Sequence, residues 1–410
     1  MSFRSLALPD FLIRAVAGLG YVVPTPVQVA AIPVVASGRD VAAEAQTGSG
    51  KTAAFALPVI QRLCAGPLDP SAVSALAVVP TRELALQVAA SFIELARLAP
   101  QPVRVLAVIG AEPIEEQIIA LRAGVHVVVA TPGRLLDLLA HGEIHLGQLK
   151  TLILDEADKL LDAGFADELG PLLDALPTER QTLLFSATLP PRVLALAERV
   201  LRDPVTVRID EHPVPVASIQ QRVFQVDRNK RRALLEHLIK TETWGQTLVF
   251  VATQRAAHNL SAKLRKAGLV AGALHGGLEQ PERIEVLDRF KRGRIAILVA
   301  TDLAARGLDI PDLAAVVNFD LPRAAADYIH RIGRTGRAGE SGLAVCFVDH
   351  DSAAHLALIQ RRNGLSLTPE QLPGFELTGE PPQRKKGPPP VKGTRMSKKD
   401  KLRERAKGEP

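Results

Sequence analysis

The feature that most constrains the fold is a recurrence of short, unbroken apolar runs separated by helix-length stretches. In the first half they are Val41 to Ala43, Ala75 to Val79, Val103 to Ile109, Val125 to Ala130, Leu149 to Leu154, Thr182 to Phe185 and Val205 to Ile209. In the second half they are Val223 to Val226, Thr247 to Val251, Ile295 to Ala300, Ala315 to Phe319 and Leu343 to Val348. A strand wetted on one face alternates apolar with polar residues; a run that does not alternate is covered on both faces, as parallel strands joined by helices are. The pattern predicts an α/β fold with parallel sheets, and the shared rhythm of the halves suits two sheets of one type. Two prolines and three ionisable residues interrupt the pattern at 209–217, which reads as an interdomain linker. A chain of 410 residues exceeds one ordinary core. The sequence therefore divides into a domain ending at 208, a second at 218–370, and a tail at 371–410.

With 47% hydrophobic residues, both domains have ample core material. No apolar run reaches the length that spans a bilayer, and Met1-Ser2-Phe3-Arg4 does not open a signal peptide, so the expectation is a soluble, cytoplasmic protein without a membrane partner. Cys64 and Cys346 lie in apolar settings and read as small buried hydrophobes rather than a disulfide. The net charge of +6 is concentrated at the end: from Glu380 to Pro410 there are eleven Lys or Arg against four acids, leaving the rest nearly neutral. This basic, proline-containing tail reads as disordered. Composition leaves two roles for it open, a solubilising tail and a tether for nucleic acid.

Three constellations carry chemistry. The stretch Ala45-Gln46-Thr47-Gly48-Ser49-Gly50-Lys51-Thr52 follows an apolar run and precedes a helix-forming segment. Glycines there let backbone N–H groups curl around a phosphate, the helix N-terminus adds positive dipole, Lys51 reaches terminal phosphates, and the Thr52 hydroxyl suits Mg²⁺. Its first residue is Ala45, where the strict pattern has Gly. Next, the run Leu149 to Leu154 delivers Asp155-Glu156-Ala157-Asp158, placing Asp155 for a metal and Glu156 for an attacking water. The plain alternative is an acidic first helical turn. Last, Tyr328 to Arg337 spaces arginines among glycines, and Arg334 and Arg337 suit arginine fingers that neutralise a γ-phosphate across a cleft. Several runs also end in threonine, at Thr131, Thr188, Thr253 and Thr301. These residues are either ligand contacts at the carboxyl ends of strands or caps of the following helices.

Further segments accompany these: Phe3, Gly20-Tyr21 and Pro24-Thr25-Pro26-Val27-Gln28; Pro80-Thr81-Arg82-Glu83-Leu84; Thr131-Pro132-Gly133-Arg134; Ser186-Ala187-Thr188; Gln280 and Arg283; Ala300-Thr301-Asp302 through Asp309; and His330 to Arg337. In that order and spacing, over about residues 1 to 370, the chain resembles the DEAD-box RNA helicases, most nearly the bacterial RhlE-type subgroup. The resemblance implies two tandem RecA-like domains that close together on ATP, Mg²⁺ and single-stranded RNA. Residues 1–31 would be an adenine-sensing segment and 32–208 the ATP-binding domain, with Gln28 on adenine and Phe3 and Tyr21 supporting that segment. Ala45 to Thr52, with Gly307 and Asp309, would bind nucleotide; Thr52, Asp155 and Glu156 would serve the metal. Ser186, Thr188 and His330 would couple hydrolysis to strand separation. Pro80, Thr81, Arg82, Thr131, Pro132, Gly133, Arg134, Gln280, Arg283 and Thr301 would contact RNA. In many members a Gly-Gly pair follows the third strand; this chain has Gly110-Ala111.

The resemblance implies an RNA-stimulated ATPase that locally unwinds short duplexes, with ribosome-assembly or RNA-decay proteins as partners. The alternatives are an ATP-gated RNA clamp with little unwinding and a DNA-directed translocase. With only Phe 12, Tyr 2 and Trp 1, the chain offers few base-stacking rings, which favours backbone contacts without sequence preference.

Overall fold

The computed structural model describes residues 2–45, 49–69, 71–162, 165–209, 219–242, 244–305, 313–325, 327–336 and 342–379. The first seven strands are β1 (Val41–Glu44), β2 (Ala75–Val78), β3 (Val105–Val108), β4 (Val127–Ala130), β5 (Thr151–Leu154), β6 (Gln181–Ser186) and β7 (Val205–Arg208). They form a parallel sheet in the order β3-β4-β2-β5-β6-β1-β7. The next seven are β8 (Ile219–Gln225), β9 (Thr247–Phe250), β10 (Ala271–Leu274), β11 (Ile297–Ala300), β12 (Ala315–Asn318), β13 (Gly342–Val348) and β14 (Pro369–Glu370). Their parallel sheet has the order β10-β11-β9-β12-β13-β8-β14. Counted from the first strand of each half, the two orders are identical, so the shared rhythm of the sequence is a duplicated topology.

The inner strands of the first sheet each serve two cores. Along β2, Ala75 and Ala77 enter one apolar cluster while Leu76 and Val78 enter the other, and all four are fully buried. This is why the run is unbroken rather than alternating. One face of the first sheet packs against the helices Asp10–Gly18, Pro26–Ala36, Lys51–Leu63 and Arg82–Ala96, the other against Pro132–Ala140, Ala166–Asp174 and Pro191–Val200.

Two strands went unread in the sequence. β10 is built from Ala-Gly-Ala-Leu, and Gly272 is required because a Cβ there would lie 2.9 Å from Cδ1 of Ile295. β14 pairs with β8 through Pro369 and Glu370, and the chain beyond stays with the second domain. Leu372 and Phe375 pack on its core, and Thr378 donates through N–H (3.0 Å) and Oγ1 (2.7 Å) to the Asp227 carboxylate. The domain boundary expected at 370 therefore moves to at least 379, and the basic residues 380–410 lie outside the described residues. Residues 210–217 of the expected linker also lie outside them.

Candidate active site

The candidate residues gather at the carboxyl ends of the first sheet, where loops escape the ladder and can present polar groups. Its order sets two regions side by side: β1, β6 and β5 deliver Ala45, Ser186 and Asp155, while β2, β4 and β3 deliver Thr81, Thr131 and Gly110.

In the first region, Ala45 continues the ladder by donating to Ser186 O at 2.9 Å. Gly50, at φ +90, caps the helix Lys51–Leu63. Gln28 holds this turn from the side: Nε2 donates to Gly50 O at 3.1 Å, while Oε1 accepts from Thr25 N–H at 3.0 Å. A Cβ at Gly50 would stand 2.5 Å from that Nε2, so glycine is needed for both the angle and the space. Phe3 is only 4% exposed and packs in the core beside the helix Pro26–Ala36, which fits a supporting role; Tyr21 is 43% exposed. Gln46, Thr47 and Gly48 lie outside the described residues, as do Gly307, Asp309 and Arg337.

Lys51 is buried at the floor, its Nζ 3.8 Å from Asp155 Oδ1 and without a hydrogen-bond partner among the described residues. Asp155 is buried beside two further acids; burial, opposed by Lys51 and reinforced by Glu156 and Asp158, pushes its carboxyl up to about 6. Glu156 adopts φ +51, a left-handed conformation that costs a non-glycine residue about 1–2 kcal/mol. Beyond this loose pairing the ammonium makes no hydrogen bond and the carboxylate sits among further acids, so one has room for an anion and the other for a cation. A metal-bound polyphosphate meets both, so the donor set fits Mg²⁺ with a nucleotide.

Asp158 faces the second domain. Its N–H donates to Ser186 Oγ at 3.2 Å, Thr188 Oγ1 stands 3.5 Å from Oδ2, and Lys159 Nζ lies 3.3 Å from the same oxygen. Burial raises the Asp158 carboxyl, but Lys159, Lys51 and His330 outweigh it and hold it below the usual range. His330 arrives from the helix Asp327–Ile332 and is held down to about 4 by burial, by Lys159 and by Arg334, against Asp158 and Asp327. Lys159 also reaches Asp327 Oδ1 at 3.5 Å, so a cation of one domain bridges acids of both. Behind His330, Arg331 ties the helix down: it pairs bidentately with Asp302 at 2.6 and 2.7 Å, donates to Asn318 Oδ1 at 2.7 Å and stacks on Phe250.

The second region is a cleft of about 410 Å³ between the domains. The first domain lines it with residues including Pro80, Thr81, Arg82, Thr131, Gly133 and Arg134, and the second with Gly276, Arg283 and Ala304. The helices Arg82–Ala96 and Pro132–Ala140 start here, aiming two N-termini at one space, an arrangement that favours anions. The threonines separate by role. Thr81 and Thr253 are caps, accepting from Leu84 N–H (3.2 Å) and Ala256 N–H (3.1 Å); the Thr131 hydroxyl makes no cap bond. Arg134 donates twice to Glu112 O at 3.1 Å. Arg283 spans the cleft floor to Glu83, Nε to Oε1 at 2.6 Å, with both side chains buried. Gln280 is 1% exposed, so it stands behind the lining rather than in it, and Thr301 is half-buried at the start of the helix Asp302–Ala305.

The family models match this division. One described as DEAD/DEAH box helicase matches residues 25–196, and one described as helicase conserved C-terminal domain matches 229–339. The DEAD-box ATP-dependent RNA helicase CshA of Geobacillus kaustophilus is 41% identical over 360 residues, which is 88% of this chain and 76% of that protein. The chain belongs to the DEAD-box ATP-dependent RNA helicases. Its fold is that of two tandem RecA-like domains. The helicase superposes on S. cerevisiae Dbp5 bound to RNA and ADP BeF3 with a TM-score of 0.80 at 32% identity, covering 90% of this chain and 95% of that one. A DEAD box protein of Methanococcus jannaschii is 37% identical with similar coverage, 90% and 99%, yet reaches only 0.51. As a whole, the chain superposes better on the structure bound to RNA and ADP BeF3 than on this one. The Lys159–Asp327 and Arg283–Glu83 ion pairs join the two domains in this arrangement.

The sequence reading missed the residues that make this closure. Lys159 and Asp327 look like ordinary surface charges, Glu83 stands out only as part of the segment Pro80 to Leu84, and no local pattern reports a partner in the other domain.

Proposed function

We propose that this helicase completes its hydrolytic site only when the domains close, and that the interdomain cleft is the RNA seat that drives closure. The reading rests on one observation: a single arrangement of the domains sets Lys159 between Asp158 and Asp327 and Arg283 on Glu83. Lys51 and the backbone of the Gly50 turn bind the polyphosphate, and Gln28 carries the state of the adenine site to that turn through Gly50 O. Thr52, Asp155 and Glu156 would hold Mg²⁺, which would supply charge neutralisation on the polyphosphate. Glu156 orients the attacking water and accepts its proton; the left-handed backbone aims its carboxylate, as strained conformations do at functional sites. Arg334, from the second domain, neutralises charge in the transition state, with Arg337 as the second finger.

Arg82, Arg134 and the two helix N-termini bind the phosphates of one RNA strand, without reading bases. Thr131 offers its uncapped hydroxyl to the same strand. Closure holds that strand in a shape its complement cannot follow, so the partner strand leaves a short duplex, and hydrolysis reopens the cleft. The motifs suggested the RhlE-type subgroup; the likeness to CshA does not favour it, and the reading kept is the broader family. Partners from ribosome assembly or RNA decay and a cytoplasmic setting belong to the same reading, supported by family membership. Among the described residues, no helix is long and apolar enough to cross a membrane.

The test is steady-state ATPase with RNA, DNA or neither, alongside unwinding of a fluorescent short duplex. RNA-specific stimulation with ATP-dependent strand release is expected. Equal stimulation by DNA overturns the reading, and ATP-dependent RNA binding without strand release replaces it with a clamp.

A further inference from the structure

The turn after β3 forms part of the cleft wall, and something must hold it there, because β3 is an edge strand. The last ladder bond of β3 is Thr131 N–H to Val108 O at 3.1 Å. Ile109 follows, fully buried and beyond the sheet, where a backbone N–H and C=O need partners from elsewhere. Gln117, eight residues on and 4% exposed, supplies both: Oε1 accepts from Ile109 N–H at 3.1 Å and Nε2 donates to Ile109 O at 3.0 Å. One side-chain amide thus acts as an extra peptide unit, continuing the ladder where the strand has ended.

The next residues depend on that clamp. A Cβ at Gly110 would stand 3.4 Å from Arg82 Nη2, so this turn is packed directly on a cleft arginine. Ala111 sits at φ +62, the left-handed region that glycine occupies freely and alanine only under strain. Glu112 O is the acceptor for both terminal nitrogens of Arg134. Strain at Ala111 pushes the turn away from this conformation, while Gln117 holds it, and two arginines of the cleft take their positions from the result.

We infer that Gln117 is a positioning residue for RNA: it clamps a strained turn and so sets where Arg82 and Arg134 stand. The inference rests on the cleft being the RNA seat. Gln117 itself touches no phosphate and lies apart from the nucleotide residues, so its loss acts on RNA affinity and spares chemistry. Ala111 sets the load on the clamp: glycine at 111 removes the strain and makes the turn less dependent on Gln117.

The experiment measures RNA-stimulated ATPase for wild type, Gln117→Met, Gln117→Glu, Ala111→Gly and the Gln117→Met/Ala111→Gly double variant, with fluorescence anisotropy of labelled single-stranded RNA. Methionine keeps length and packing but makes neither bond; ionised glutamate can accept from Ile109 N–H but turns a second acceptor oxygen on Ile109 O. For Gln117→Met, the RNA concentration at half-stimulation should rise at least about tenfold, as even one unmet buried backbone group implies, with kcat at saturating RNA and KM for ATP within about twofold. Gln117→Glu, which buries a charge against Ile109 O, should lose at least as much, and the double variant should recover at least about threefold of the affinity lost in Gln117→Met, a non-additive result expected of coupled neighbours. An unchanged half-stimulation point in Gln117→Met, or equal losses in RNA affinity, kcat and ATP KM, overturns the inference, as does a double variant no better than the single. Should Gln117→Met fail to fold, Gln117→Glu with and without Ala111→Gly carries the same comparison. A wild type that RNA does not stimulate would instead overturn the RNA seat itself, so the two failures are distinguishable.

Discussion

The ion pair between Arg283 and Glu83 is the sharpest mechanical consequence of the closed arrangement. Arg283 Nε and Glu83 Oε1 stand 2.6 Å apart, with side-chain exposures of 8% and 4%, one from each domain. Neither atom meets hydrogen-bond geometry, so the contact is an ion pair without an aligned N–H, although Arg283 also donates to His275 O at 3.3 Å. In the open protein both groups regain water, so removing one partner acts on closure and not on the fold of either domain. Glu83→Ala leaves a buried, uncompensated guanidinium in the closed form; such losses cost about 3–5 kcal/mol, and the imperfect alignment argues for about 3. That converts to a closed-to-open ratio lowered by roughly 150-fold. The assay is interdomain FRET between dyes on the two domains, titrated with RNA and a non-hydrolysable ATP analogue, with each domain's thermal unfolding as the control. The pair Glu83→Leu with Arg283→Met, which buries no lone charge, should close more readily than Glu83→Ala alone. A single variant that closes within about fivefold of wild type, or a double variant as impaired as the two singles summed, refutes the reasoning.

Other perturbations separate the remaining roles. Glu156→Gln should bind ATP and RNA with wild-type affinity while kcat falls at least about 100-fold, because the acceptor for the water's proton is gone; normal turnover removes Glu156 from that role. His330 is held at about 4 against about 6.5 for a free imidazole, so the open form takes up a proton first; its contribution to closure is complete above about pH 6.5 and is lost as pH falls toward 4. Lowering pH from 7 to 5.5 should weaken nucleotide-saturated closure by about 1 kcal/mol, several-fold, and His330→Asn should flatten that slope. Asp155, raised to about 6, carries the opposite sign: its charge is costly at neutral pH and is relieved by a cation. Mg²⁺-nucleotide affinity should therefore rise with pH through about 6 and release protons on binding, as calorimetry in buffers of different ionisation enthalpy would show. Deletion after Gly379 should leave the packed strap on Asp227 intact while reducing RNA affinity and its salt slope; an unchanged slope leaves the basic tail a solubilising role.

What the sequence made legible was whatever is local. Unbroken apolar runs gave the strands because burial on both faces leaves that mark, and the turn from Ala45 to Thr52 was visible because glycine, lysine and a hydroxyl must stand in that order. β10 escaped because Ala-Gly-Ala-Leu carries no β-branched residue to mark a strand, its Gly272 lying close to Ile295. The threonines at strand ends could not be sorted in sequence: Thr81 and Thr131 look alike there, and only the bond from Leu84 N–H shows that one is a cap. Charges whose partners lie across the cleft were equally silent. Gln117 sits in an ordinary amphipathic helix, and its value comes from Ile109 having run out of sheet.

The most direct test of conditional completion is the reciprocal coupling between nucleotide and RNA. If closure assembles both sites at once, a non-hydrolysable ATP analogue must tighten RNA binding by the same factor by which RNA tightens the analogue, because linkage is symmetric. Measuring both affinities with and without the other ligand should give one shared factor well above about 10, reduced toward 1 in Glu83→Ala. Two affinities that ignore each other, with a factor of about 1 in the wild type, would contradict the account.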